Sequence, residues 1–355
     1  MKKLNTKNIF FISDLHAGVH ANSSEWMEIQ ESYFNEYLIP LLKNNMEPDD
    51  ILVILGDIFE SQQLLNVKVL NIVLGIIKKL SDFIPVHIIL GNHDTYLKST
   101  NDINSIKIFN NINNVFIYES PEEVEISKKK FLFFPWHTDR TNERQAIQDH
   151  TDLDYLFCHT DFIGFSYNRF VKSPIGNSPS DFSQFKRVFS GHIHWRQESG
   201  NVTMVGSPYA LTRGDVDNVK GVYRLDVKND ETYFYPNNHS PKYQASTLSN
   251  ILEMTFGEYQ KYITNNFVDI TDSDMWGSFP VDKLRDMSGS ARKFEMNNLP
   301  PKIDVDEFEV NQAQIMSLDF LRWADVYVDN LGTKKVMKKK LLVKFKELYE
   351  LSQGE

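Results

Sequence analysis

The stretch V-F-S-G-H-I-H-W, Val188–Trp195, decides how the rest of the chain is read. It is a short apolar run, then a glycine, then histidines at i and i+2. On an extended backbone those two positions face the same way, and Gly191 lets the chain turn sharply at the strand end. Two imidazoles emerging together there suit a metal site. A lone H-x-H pair occurs by chance in many surface loops, so its weight rests on whether the rest of the chain supplies partners.

Upstream it does. Asn8–Ser13 has the pattern of a buried strand and runs into Asp14-Leu15-His16-Ala17-Gly18. Asp50–Leu55 is a second such run, followed by Gly56-Asp57-Ile58-Phe59-Glu60. Ile84–Leu90 is a third, followed by Gly91-Asn92-His93-Asp94. Asp154–Phe157 ends in Cys158-His159-Thr160-Asp161. Glu25–Asn44 is amphipathic and Leu64–Leu80 repeats apolar residues at helical spacing, so both predict helices between the strands. Strand, polar cluster, helix, repeated in this way, predicts βαβ units in a mixed or parallel sheet. Its polar clusters then sit at the C-terminal strand ends, where open α/β sheets carry ligands. Asn114–Tyr118, Glu123–Ile126 and Lys130–Phe134 predict further strands, Thr141–His150 a helix and Gly164–Asp181 a loop. Asn201–Val205, Lys220–Val227 and Thr232–Tyr235 are expected to complete a second sheet.

The totals bound the answer. The chain has 355 residues, 41% of them hydrophobic, enough for one large domain and a smaller one. Composition shifts divide it into a main domain over 1–240, a small capping or linker region over 241–306, and a C-terminal helical region over 307–355. The one cysteine, Cys158, excludes an intramolecular disulfide framework and fits a reducing cytosol. No stretch has the length of a signal-peptide core or a membrane span, so a cytoplasmic protein with no membrane partner is expected. The formal net charge is −10. A self-sufficient nucleic-acid binder is usually basic, so this chain either does not bind nucleic acid or draws positive charge from metal ions, a local patch or a partner.

Collected, the strand ends present Asp14, His16, Asp57, Asn92, His93, His159, His192 and His194. Carboxylates, imidazoles and an amide oxygen are the ligand set of Mn²⁺, Fe²⁺ or Zn²⁺ rather than of Ca²⁺. They exceed what one ion needs and suit two, with Asp57 able to bridge. Two ions about 3.5–4 Å apart are suited to in-line displacement at a phosphoryl group. Other candidates read as ordinary residues. Cys158 is a small buried strand residue rather than a nucleophile. His20, His87, His150 and His239 are surface or core histidines, Ser207 is a turn residue, and His137 is either rim or structure.

In this order, D-x-H, G-D, G-N-H-D, a strand-end histidine and G-H-x-H resemble the calcineurin-like metallophosphoesterase superfamily. The resemblance implies an α/β fold, a four-layer α/β/β/α sandwich with a small capping region and a C-terminal helical pair. It implies one metal on Asp14, His16, Asp57 and His194, and another on Asp57, Asn92, His159 and His192. His93 would be the general acid, oriented by Asp94. Within the superfamily, D-L-H-A-G, G-D-I-F-E, F-P-W, S-G-H-I-H and G-S-P-Y-A-L-T-R-G-D are most similar to the SbcD-type double-strand-break repair nucleases, phage recombination nucleases among them. This similarity covers about Ile9–Asn238. It implies a Mn²⁺-preferring DNA exonuclease and single-strand endonuclease, with Mg²⁺, Fe²⁺ or Zn²⁺ as other fitting ions. It also implies a homodimer working with an SMC-like, SbcC-type ABC ATPase in DNA recombination and repair. Glu60 stands where the family commonly has Asp, and His137 where it commonly has Met.

The tail predicts two helices, Asn311–Asn330 and Lys334–Leu351, joined around Gly332. Phe320, Leu321, Trp323, Leu341, Phe345 and Leu348 give it more apolar surface than a solvated tail requires, beside a run of lysines. An amphipathic basic helix of this kind suits a partner's groove, and the resemblance makes that partner the ATPase; packing on its own domain is the alternative. Two other functions compete. A phosphodiesterase of cyclic nucleotides or dinucleotides shares the motifs but gives no reason for the F-P-W and G-S-P segments or the basic tail. A catalytically silent scaffold of the same fold gives no reason for keeping every ligand.

Overall fold

The computed structural model describes residues 2–271 and 287–297, and a few helical residues at 339, 340, 342 and 343. The chain divides into two compact units, Met1–Asn298 and Leu299–Glu355; the architecture that follows is that of the first. The tail positions Phe320, Leu321, Trp323, Leu341, Phe345 and Leu348 lie outside the described residues.

Two sheets make the body. In the six-stranded sheet the order is Glu231–Pro236, Gly221–Asp226, Asn8–Ile12, Ile51–Ile54, Val86–Ile89, Val115–Tyr118. The last four run parallel. In the seven-stranded sheet it is Lys2–Leu4, Glu122–Ile126, Lys129–Phe134, Tyr155–His159, Arg187–Gly191, Val202–Met204, Gln197–Ser199. One expectation is corrected. The hairpin of Gly221–Asp226 and Glu231–Pro236 does not complete the second sheet; it pairs antiparallel with Asn8–Ile12, placing Leu225 opposite Ile9. The pattern of such a segment says strand but carries no information about its neighbour. The free edge of the first sheet, where Tyr223 stacks on Phe11 at 5.3 Å, decides it.

The strands read as continuous apolar runs because both of their faces are buried. Ile9, Phe11, Val53 and Ile89 enter the core between the sheets with Phe131, Phe133, Tyr155, Phe157 and Phe189. Their alternates Phe10, Ile12, Leu52, Ile54 and Ile88 face outward beneath helices. One of these is Val67–Ser81, capped by the Asn66 side chain, which accepts from Lys68 N at 2.8 Å. The other runs from Ser24 to Asn45 and widens to a π turn over Tyr33–Leu38, just before Pro40, which has no N–H to donate. The outer face of the second sheet, Leu132, Phe134, Leu156, Cys158 and Val188, packs on Ile147, Phe162, Phe165 and Phe182. Those residues come from the six-residue helix Glu143–Gln148, a 3-10 turn and a long loop. The fold is thus an α/β/β/α sandwich whose fourth layer is mostly loop.

After Ser240 the chain builds a small cap. Tyr243–Thr247, Phe267–Thr271 and Lys293–Asn297 form a parallel sheet with the helices Leu248–Glu253 and Phe256–Ile263 around its own core. The cap is seated by Phe267 stacking on Trp26 at 5.6 Å and by Arg213 donating to Asp269 at 2.8 Å.

Candidate metal centre

Parallel register ends neighbouring strands at one level: Ile12 pairs with Ile54, Ile54 with Ile88, and His159 with Gly191. Immediately beyond those ends the backbone turns tightly. Asp14, His16, Asp57 and His192 all have positive φ, between 46° and 83°. Side chains other than glycine rarely adopt that region, at a cost of about 1–3 kcal/mol each. Hydrogen bonds between the turns hold it, with Asp14 N donating to Gly56 O at 3.1 Å and His16 N to Asp57 O at 3.0 Å. Gly191 does not serve as the expected turn. It is the last residue of its strand, and it must be glycine for space, because a Cβ there would lie 2.1 Å from Ser13 Oγ and 2.7 Å from His159 Nδ1.

The strand ends bring together three overlapping groups, each with ligand atoms within 4.8 Å of one another: Asp14, His16 and His194; His16, Asp57 and His93; Asp57, His159 and His192. Asn92 Oδ1 lies 2.9 Å from His159 Nε2 and 2.7 Å from His192 Nδ1. Asp57 Oδ2 lies 3.3 Å from His159 Nε2 and 3.7 Å from His16 Nε2, and His16 Nε2 lies 2.9 Å from His194 Nε2.

These residues fit divalent cations. Asp14 Oδ2 is buried and has no hydrogen-bond partner, which is costly for a carboxylate unless a cation faces it. Burial would raise the Asp57 carboxyl, but the facing His159, His16 and His93 imidazoles hold it well below the usual carboxylate range. Burial, with His16 beside it, pushes His194 down to about 3, leaving the neutral ring that a metal ligand must be.

One expectation about a neighbouring residue changes. Asp94 does not orient His93. Its buried carboxylate accepts from the backbone N–H groups of Ile58 at 3.0 Å and Gly91 at 3.1 Å, and so fixes the turns carrying Asp57 and Asn92. The His93 ring is held instead by Glu60, whose carbonyl accepts from His93 Nδ1 at 2.7 Å. The Glu60 side chain also has a use, accepting from His16 Nδ1 at 2.6 Å. His137 is half-buried against Phe134, bonded to Asp139 O at 2.7 Å.

Sequence reasoning missed several supporting residues. Asp161 Oδ1 lies 2.9 Å from His192 Nε2. Trp136 of F-P-W packs its ring 5.1 Å from that of His192 and carries the Arg140 guanidinium 4.0 Å above it. The His194 carbonyl accepts from Lys220 Nζ at 2.6 Å and Ser207 N at 3.2 Å, and the same ammonium pairs with buried Asp215. The G-S-P to G-D segment is therefore the brace behind the H-x-H turn. The only signal for these was proximity to the motifs. A charged residue near a turn is ordinary, and its direction is set by distant packing.

A family model described as calcineurin-like phosphoesterase matches residues 7–196. Exonuclease subunit 1 of Enterobacteria phage T4 is 29% identical over 235 residues, covering 65% of this chain and 68% of the phage protein. A putative phosphoesterase of Invertebrate iridescent virus 3 is 25% identical over 245 residues, and the chain spans 65% of its length. Among solved structures, an archaeal phosphodiesterase matches with a TM-score of 0.34 and 16% identity, over 64% of this chain and 99% of that one, too loosely to carry a functional argument. The model matches more than half of the chain and covers every residue of the histidine–aspartate pocket. The chain therefore belongs to the calcineurin-like phosphoesterase family, the work of whose metal-dependent members is cleaving phosphate esters.

Proposed function

We propose that this protein is a DNA nuclease using two divalent ions, Mn²⁺ preferred. In this reading it is the nuclease subunit of a complex with an SMC-like ATPase in DNA recombination and double-strand-break repair. The observation that carries the metal reading is the gathering of Asp14, His16, Asp57, His93, His159, His192 and His194 into three overlapping groups, one of which holds the buried Asp14 oxygen without a partner. The choice of DNA is supported by the phage relative, which is named an exonuclease subunit.

Asp14, His16, Asp57 and His194 would hold one ion, and Asp57, Asn92, His159 and His192 the other. When bound, the ions supply charge neutralisation and Lewis-acid activation at the phosphoryl group. Asp57, an anion facing both His16 and His159, would serve both ions. His93 belongs to neither ligand set. Its Nδ1–H donates to the Glu60 carbonyl, so Nε2 is the atom left to act. As the imidazolium, His93 would give the Nε2 proton to the leaving deoxyribose oxygen and become neutral, help worth about 10²–10⁴-fold in rate. The net charge of −10 leaves this chain a weak DNA binder alone. A homodimer docked through its 307–355 tail (Phe320, Leu321, Trp323, Leu341, Phe345, Leu348) onto the ATPase, in the cytoplasm, would supply the grip.

The test incubates the purified full chain with linear duplex DNA, single-stranded DNA and cyclic nucleotides, in Mn²⁺ and in Mg²⁺. Degradation of DNA that depends on Mn²⁺ and stops with EDTA is the expected result. Hydrolysis of cyclic nucleotides with DNA left intact would replace this reading with that of a small-molecule phosphodiesterase.

A further inference from the structure

Asp161 leaves the strand Tyr155–His159 and is buried at once, fixed from several directions. Its Oδ2 accepts from Arg140 Nη2 at 3.1 Å, and its Oδ1 from Tyr167 OH at 3.3 Å. Its carbonyl accepts from Asn177 N at 3.0 Å. Gly176, at φ 108°, passes so near that a Cβ would lie 2.5 Å from that carbonyl. Arg140 is itself tied to Glu143 and to Thr160 Oγ1, and it lies on the Trp136 ring. The same Oδ1 lies 2.9 Å from His192 Nε2. An ionised carboxylate can only accept, so Nε2 carries the ring proton and Nδ1 presents its lone pair. That Nδ1 points into the pocket, 2.7 Å from Asn92 Oδ1.

We propose that Asp161, clamped by Arg140, is the positioning residue that fixes His192 as an Nδ1 metal ligand, so that it governs affinity for one ion of the pair. The proposal rests on the two-metal reading above. A carboxylate behind a ligating histidine sets its tautomer and raises its basicity, and losing such a partner costs about 10–100-fold in metal affinity. The two histidines of this half are backed unequally: His159 Nδ1 meets only the neutral Leu55 carbonyl, at 2.6 Å. Arg140, shared between Asp161 and Glu143, holds the Asp161 carboxylate in the orientation that meets the ring.

Mn²⁺ titration of the metal-free full chain by calorimetry decides it, with unfolding of the metal-free protein measured alongside. Asp161→Ala should weaken one of the two binding steps about 10–100-fold and leave the other near wild type. Asp161→Asn keeps an acceptor but no charge and should lose less. Tyr167→Phe removes only the tie to the loop and should leave both steps unchanged. With Zn²⁺ bound, the proton on His192 Nε2 should be visible by NMR in the wild type and lost to exchange in Asp161→Ala. The proposal is overturned if both alanine and asparagine variants bind both ions normally, or if Tyr167→Phe reproduces the loss, which would make Asp161 a loop anchor. Should Asp161→Ala fail to fold, Asp161→Asn carries the decision alone, and unaltered binding in it overturns the proposal. A wild type that binds fewer than two ions would instead refute the two-metal reading itself.

Discussion

The six-stranded sheet delivers Asp14, His16, Asp57 and Asn92 from turns that follow parallel strands, and long helices seal its outer face with aliphatic and aromatic side chains. The seven-stranded sheet delivers His159, His192 and His194. Behind them lies a buried polar group instead, in which the Glu143 carboxylate accepts from Thr160 Oγ1 at 2.7 Å and Asn177 Nδ2 at 2.8 Å and pairs with Arg140. The first arrangement gets its rigidity from non-directional packing spread over many contacts. The second gets it from a few directional bonds that a single substitution leaves unpaired. The two halves of one pocket should therefore fail in different ways.

Asp57 touches both halves, so Asp57→Asn should have the largest effect. Metal occupancy and turnover should fall together, turnover by more than the about 10²–10⁴-fold that proton transfer alone supplies. A variant that still holds two ions at near-normal affinity would remove Asp57 from the bridging role. His93→Ala comes next: elemental analysis should find both ions retained while the rate drops about 10²–10⁴-fold. Loss of metal would make His93 a ligand, as its closeness to His16 and Asp57 allows. Leu52→Ala, beneath the helices, should behave in the opposite sense. It should cost about 2–5 kcal/mol of stability in urea unfolding while the folded protein binds Mn²⁺ as before; weakened binding without destabilisation would erase the contrast between the sheets.

The smallest effect concerns the layer that both sheets share. His87 is buried there, with Nδ1 2.8 Å from Tyr118 OH and Nε2 unpartnered. Burial, with Lys2 nearby, pushes it down to about 3 from its ordinary 6.5. The folded chain thus keeps His87 neutral where the unfolded chain takes up a proton. Stability should fall as pH drops from 6.5 toward 3, by at most about 1.4 kcal/mol per pH unit from this group. Urea unfolding at pH 7, 6 and 5 should show a flatter decline for a His87→Leu/Tyr118→Phe double variant. Parallel curves would mean that the ring is protonated in the fold.

The parts of this molecule that could be read from residues alone are those where chemistry interrupts pattern. Asp14, His16, Asp57, Asn92 and His93 follow apolar runs that have no local use for them, so their presence points to a ligand. The hairpin of Gly221–Asp226 and Glu231–Pro236 was legible as strands but not as members of the first sheet, because strand partnership is set across the chain. The cap strands Tyr243–Thr247 and Phe267–Thr271 were not legible, since the first is only half-buried and the alternation is weak. The roles of Asp161 and Lys220 are not legible in the sequence for a different reason. Each acts through where its side chain points, and that depends on Arg140, Asp215 and the turns they brace.

His192 N donates to Asp14 Oδ1 at 3.0 Å across a separation of 178 residues. On the ribosome this separation becomes a delay. At about 5–20 residues per second, His192 follows Asp14 out by roughly ten to forty seconds. For that interval the nascent chain carries Asp14 and, in turn, His16, Asp57, Asn92, His93 and His159, but not His192 or His194. On the two-metal reading the pocket is therefore completed late in synthesis, after the strands that carry its other ligands, and a truncated product ending before Gly191 would lack two of them.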